Sequence, residues 1–226
     1  ITGGAVKTAC EAVRRRVLEM ARSELGHDDG ENWRLADDRL VDASGRTVID
    51  LVTLLGDAAV TEEREYRPRP TEPLDERGQG NAHLQLAFAA HRAVVDVDVE
   101  LGLVHVVELA TAQDVGKAIN PQAVEGQLEG GAAQGLGLAI MEQVVVKDGK
   151  ILNPSFTDYL IPTILDMPPV RMQVLELGDP LSPYGLKGVG EPPAISSGPA
   201  VLAAIRAATG REVSHVPVRP DDLLDL

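Results

Sequence analysis

Gly185-Leu186-Lys187-Gly188-Val189-Gly190-Glu191-Pro192-Pro193 is the stretch from which the rest of the chain is read. Its three glycines let backbone come close to a neighbour, or adopt positive φ, where a Cβ would collide. A single carboxylate, Glu191, follows. Pro192 and Pro193 fix φ behind it and remove two backbone donors, and Pro192 biases Glu191 itself toward extended backbone. The result is an anchored acid on a loop of exposed backbone. Local composition alone favours a plainer outcome, a Gly/Pro surface turn with an incidental acid, because such residues mark turns more often than sites.

Working outward, Ser196-Ser197-Gly198-Pro199 reads as the start of an amphipathic helix running to about Ala208, with Pro199 suited to its first turn. A glycine loop, a carboxylate and a helix N-terminus, which attracts anions, therefore lie close in sequence. Upstream, 122–143 reads as a long helix containing Gly126, Gly130, Gly131, Gly135 and Gly137. Each glycine costs a helix interior about 1 kcal/mol relative to Ala, so five together require a reason. Gly126 and Gly130 share a face where a second backbone or a ligand could approach, and Gln127 and Gln134 project amides from the same region. Tight helix packing explains the glycines as well as a ligand does.

The spacing predicts an amphipathic helix over 5–25, with Cys10 on its apolar side. Short strands at 39–41 and 46–49 flank a Gly turn, and Asp50 caps a short helix over 51–55 that Gly56 stops. Residues 61–80 form a charged, Pro-interrupted surface connection and mark a possible subdivision near 61–82. The strongest β pattern is a hairpin across 84–111, turning at Glu100-Leu101-Gly102. A smaller hairpin turns at Asp148-Gly149, and a strand follows at 171–177. The acidic tail 216–226 reads as peripheral. His91 and His105 read as cross-strand or surface residues and not as metal ligands, since no third ligand stands at a recognisable spacing.

Composition bounds the function. The 226 residues suit one large domain or two small ones. A formal charge of −14, from 21 Lys plus Arg against 35 Asp plus Glu, repels phosphate backbones, and 3% aromatic content supplies no base-stacking platform. Nucleic acid is accordingly not an expected partner. The longest apolar runs fall short of the roughly 18 residues of a membrane span, so no membrane partner is expected and a cytoplasmic location is the default. Cys10 is the only cysteine, which excludes an internal disulfide and the four thiolates of an iron–sulfur cluster. No complete dinucleotide or P-loop fingerprint and no serine elbow occurs.

Three ordered motifs carry a resemblance. They are Asp114-Val115-Gly116 leading to Ile119-Asn120-Pro121, the run Gly126-Gln127-Leu128-Glu129-Gly130 continuing to Gln134-Gly135-Leu136-Gly137, and Lys187-Gly188-Val189-Gly190-Glu191-Pro192-Pro193. Together they resemble the molybdenum hydroxylases. More narrowly, the chain is similar over nearly its whole length to the C-terminal part of the molybdopterin-binding large subunit of bacterial xanthine dehydrogenases. The resemblance implies an α+β fold of mixed short sheets with long helices. It implies a molybdenum–molybdopterin cofactor, plain or in cytosine dinucleotide form, whose molybdenum is held by the pterin dithiolene and not by a side chain. It implies that Glu191 is a general base in a hydroxylation whose oxygen comes from water, and that Gln127 hydrogen-bonds the pterin. Lys187, Gly188, Val189 and Gly190 would contact the cofactor.

The same resemblance implies partners: the remainder of the large subunit, and iron–sulfur and FAD centres on other chains or domains. Xanthine or hypoxanthine is the expected substrate, with an aldehyde or another N-heterocycle as the alternative and a non-catalytic structural subunit as the rival class. The family's Gly-Gln-Gly cofactor motif, its substrate-orienting arginine and its stacking aromatics are missing; Gly78-Gln79-Gly80 lies in a polar loop and does not replace them. The expectation is half a cofactor site, inactive in isolation.

Overall fold

The structure is a computed structural model that describes residues 1–26 and 32–224. The chain divides into two compact units, Ile1–Leu84 and Gln85–Leu226.

In the first unit, α1 spans Thr2–Leu25 and ends on Gly26 in the left-handed region, where its N–H caps the Arg22 carbonyl. Gly4, Ala12, Val17 and Ala21 form its buried stripe. Cys10 lies off that stripe and is exposed, contrary to its expected place on the packed side. Strands β1 (Arg34–Ala36), β2 (Arg39–Val41) and β3 (Thr47–Asp50) form an antiparallel meander. The sequence pattern had no strand at β1; it is paired to β2 through Asp37 and Asp38, both at positive φ as a tight primed turn demands. The Asp42 carboxylate builds the next turn by accepting from the N–H groups of Ser44 and Arg46. Helix α2 (Leu51–Leu55) follows and ends at Gly56, while 59–75 contains no helix or strand.

The second unit is built on a hairpin, β4 (Ala89–Asp98) and β5 (Leu103–Asp114), paired from Asp98↔Leu103 to Ala89↔Gln113. Helix α3 (Pro121–Ile140) follows, its first turn satisfied by Asn120, whose Oδ1 accepts from Ala123 N at 3.1 Å. Strands β6 (Val146–Lys147) and β7 (Lys150–Ile151) turn at Asp148-Gly149, as the sequence predicts. Strand β8 (Val170–Leu175) then returns parallel to β5, giving the sheet order β4-β5-β8. Helix α4 (Pro192–Thr209) and the short α5 (Pro220–Leu223) complete the unit. Exposure alternates strictly along β4, so one of its faces is half-buried, and Val106 and Leu109 of β5 meet Leu136 of α3 and Val201 and Ile205 of α4 in the core.

Two expectations are corrected here. Helix α4 starts at Pro192, well before Ser196, because two prolines are tolerated where helix N–H groups have no partner anyway; Pro199 therefore lies inside it. The tail is not peripheral. Val218 and Leu223 are 6% and 1% exposed and belong to the core, and Val218 N–H donates to Ala139 O at 2.8 Å. Apolar residues among the acids give that segment its one buried side.

Most of the α3 glycines are explained by packing. A Cβ on Gly131 would stand 2.6 Å from Pro193 Cβ, one on Gly135 would stand 2.8 Å from Ala194 O, and one on Gly137 would stand 2.8 Å from Pro162 Cδ. Gly126 and Gly130 are different: a Cβ there would meet nothing within 4 Å. Their faces are open. Among the described residues, no helix is long and apolar enough to cross a membrane.

Candidate functional site

The chain leaves β5 at Asp114 and immediately meets the Gly185–Pro193 loop. Lys187 N–H donates to Val115 O at 3.1 Å and Lys117 N–H to Gly185 O at 3.0 Å, so the two segments form a short antiparallel bridge. Gly116, at φ 63°, permits it, since a Cβ there would fall 2.8 Å from Lys187 N. Gln85, which sequence reasoning did not single out, ties the loop from the other side: its Nε2 lies 2.6 Å from both Leu186 O and Ser182 Oγ and 3.0 Å from Asp179 Oδ2. Only the length of the intervening chain hid it.

The Lys187 side chain is mostly hidden behind this bridge. Its ammonium pairs with the Asp114 carboxylate and sits 5.9 Å from the centre of the Phe88 ring. Gly116 N–H donates to the other Asp114 oxygen at 3.1 Å. Burial pushes the Asp114 carboxyl up, but the hydrogen bond and charge of Lys187, with backbone donors, outweigh it and hold the group below its ordinary 3.8.

Gln127 is exposed on α3, and a Cβ built on Gly190 would stand 3.4 Å from its Oε1. The α3 amide and the glycine loop, far apart in sequence, are thus neighbours. Between them opens a mostly apolar cleft of about 200 Å³ lined by Val115, Ile119, Val124, Gln127, Lys187 and Val189 among others. Gly188 is exposed, and nothing lies within 4 Å of where its Cβ would be. The cleft offers two side-chain amides, Asn120, whose oxygen already accepts from Ala123 N–H, and Gln127, with the backbone of the glycine loop beside them.

Glu191 is exposed and stands at the N-cap of α4. Its backbone is in the right-handed region (φ −94°, ψ −37°), not extended as the following proline favours, because its carbonyl accepts from Ala194 and Ile195 in the first helical turn, at 3.0 and 3.3 Å. Its side chain caps nothing. With Pro192 and Pro193 lacking N–H and the next two donors so engaged, the helix end presents no free donor for an anion there; what it presents is the carboxylate. Glu191 does not line the cleft but borders Gly190, which does face Gln127.

The family profile for the molybdopterin cofactor-binding domain matches residues 1–168. The chain belongs to this family. It is 34% identical over 141 residues to the xanthine dehydrogenase molybdenum-binding subunit of Escherichia coli O157:H7, a match covering 62% of this chain and 19% of that protein. Against the nicotine 6-hydroxylase large subunit of Paenarthrobacter nicotinovorans it is 28% identical, over 99% of this chain and 28% of the relative. Its fold superposes on quinoline 2-oxidoreductase from Pseudomonas putida 86 with a TM-score of 0.75 at 30% identity, covering 94% of this chain and 28% of that one. This molybdopterin-binding chain spans between about a fifth and under a third of the length of these curated relatives (19% and 28%). The family profile stops short of the Gly185–Pro193 loop, while the match to the nicotine enzyme extends across 99% of the chain.

Proposed function

We propose that this chain is the C-terminal part of a molybdenum hydroxylase large subunit, with Glu191 as the general base of a hydroxylation at carbon. One observation carries this: Gln127, which lines the cleft, stands beside Gly190, and Glu191 is the next residue after that glycine. The residues fit a flat, hydrogen-bonding cofactor. Gln127 would bond the pterin edge through its amide, and Gly188–Gly190, with Gly126 and Gly130 open on α3, would let backbone and helix face approach it. At Lys187 the contact would fall to backbone and aliphatic stem, since the ammonium is committed to Asp114. When bound, the cofactor supplies the two-electron redox chemistry and the site at which water-derived oxygen is activated.

The work of the protein is positional and acid–base. A carboxylate on a helix cap holds a defined place while remaining open to substrate, and Glu191 Oε accepts the proton lost as the oxygen is delivered to an electrophilic carbon. The prolines behind it keep the turn in one conformation. A substrate carbon flanked by ring nitrogen or oxygen suits this chemistry. Xanthine or hypoxanthine is the preferred substrate, supported by the similarity to the xanthine dehydrogenase subunit. The nicotine and quinoline relatives match more of the chain and support a second reading, another N-heterocycle hydroxylated by the same residues. Electrons would leave through iron–sulfur and FAD centres on partner polypeptides, because a single cysteine cannot ligate a cluster.

The test is molybdenum and pterin content of the tagged chain purified from a cofactor-making host, alone and co-expressed with a polypeptide supplying the remaining large subunit, followed by assay with purines, quinoline-type heterocycles and aldehydes. Cofactor in the co-purified complex with turnover of one class supports the proposal and names the substrate. A stable complex without cofactor overturns it in favour of a structural subunit.

A further inference from the structure

Beneath the turn that carries Glu191 lies a histidine that the acid–base reading does not use. His91 occupies the half-buried face of β4, opposite Thr111 of β5, and its Nδ1 is 2.8 Å from Ser196 Oγ in the first turns of α4. Ser196 Oγ in turn reaches back to the carbonyl of Pro192 at 3.5 Å. The other ring nitrogen, Nε2, is closed to solvent and has no partner. Burial disfavours the imidazolium, so His91 is held toward its neutral form.

The directions of these bonds follow from their partners. With the Ser196 hydroxyl donating to Pro192 O, its oxygen is left to accept, so His91 Nδ1–H is the donor. Nε2 is then a bare lone pair. That is the milder of the two vacancies, since buried N–H groups without a partner are the rarer kind in folded proteins. The opposite flank of the same turn is closed by α3, where Gly131 and Gly135 let Pro193 and Ala194 approach too closely for any side chain. The segment 191–197 is thus gripped sterically from α3 and by a directed hydrogen bond from β4.

We propose that His91 is a positioning residue for Glu191: as the Nδ1–H tautomer it fixes Ser196, and through Ser196 and the Pro192 carbonyl the turn whose first residue is the base. The grip on the turn stands on geometry alone; its catalytic consequence rests on the function proposed above.

Three variants test it in the assembled complex: His91→Leu, which fills the site without a donor, Ser196→Ala, and His91→Asn, whose amide nitrogen replaces Nδ1. Hydrogen exchange at the amides of Ala194 and Ile195 should quicken roughly 10-fold in the first two while the rest of α4 is unchanged, and return toward wild type in His91→Asn. Turnover should follow, kcat falling about 10- to 100-fold with KM altered less than about 2-fold, as displacement of a reacting group predicts. Exchange unchanged in His91→Leu, or raised evenly along α4, or not restored by His91→Asn, would overturn the proposal in favour of plain core packing. Should any variant fail to fold, the ¹⁵N shifts of histidine-labelled wild-type protein decide: a protonated Nδ1 and bare Nε2 for His91 support the assignment, and the reverse sinks it. Retained turnover in Glu191→Gln would instead remove the functional reading and leave the exchange result standing.

Discussion

Lys187 and Asp114 form an ion pair withdrawn from water, the lysine side chain being 11% exposed and the aspartate 1%. The pair clamps the glycine loop to the end of β5, and its two members come from motifs that the sequence places far apart. Removing one partner from a buried pair strands the other charge. Lys187→Met is therefore expected to lower stability by about 3 kcal/mol, whereas Lys187→Met with Asp114→Asn recovers part of that loss. The Asp114 carboxyl is held below its ordinary 3.8 in the folded protein, so its contribution is present above that value and disappears as pH falls through the lowered one. Urea midpoints at neutral and acid pH check both statements. A Lys187→Met midpoint equal to wild type at neutral pH would mean the pair does not hold the loop.

The open and the packed glycines of α3 should part company on substitution. Gly126→Ala and Gly130→Ala meet empty space and improve helix propensity, so each should raise stability by about 1 kcal/mol while reducing bound cofactor in the complex. Gly131→Ala collides with Pro193 and should destabilise by about 1–3 kcal/mol. Thermal melting and molybdenum analysis of the three variants separate these effects. Full cofactor content in Gly126→Ala and Gly130→Ala would show that this face is not approached.

The C-terminal segment is a structural element and not a trailing end. Leu223 is 1% exposed within the core shared with Val106 and Ile205, and Leu223→Ala should cost about 2–5 kcal/mol in a denaturation experiment. A change under about 0.5 kcal/mol, typical of surface substitutions, would return the segment to the periphery.

Local pattern makes the hairpin β4–β5, helix α3 and the Asp148-Gly149 turn legible, because each rests on neighbours in sequence, whereas the Asn120 cap of α3 is seen only in the structure. What was hidden depends on distant partners. The parallel pairing of β5 with β8 joins Leu109 to Val170 across a long excursion and leaves no periodic trace. The start of α4 is hidden because Pro192 and Pro193 have the composition of a loop, while Ala194 and Ile195 bond to the Glu191 carbonyl in a first helical turn. His91 read as an ordinary strand histidine, since its partner Ser196 lies on another element. Resemblance alone points to Gln127, Gly188 and Gly190 as cofactor contacts, and the structure sets the Gln127 amide beside Gly190; Lys187, which the same resemblance implies, turns its charge to Asp114.

The most direct measurement is turnover and molybdenum content of the Glu191→Gln variant in the assembled, cofactor-loaded complex. Gln keeps the size and hydrogen-bonding reach of the side chain but cannot hold the proton. Molybdenum content and assembly should match wild type while kcat falls by at least about 10²-fold, the lower end of what a positioned base contributes. Activity near wild type at full molybdenum occupancy would contradict the role of base and leave Glu191 as an acid on a turn.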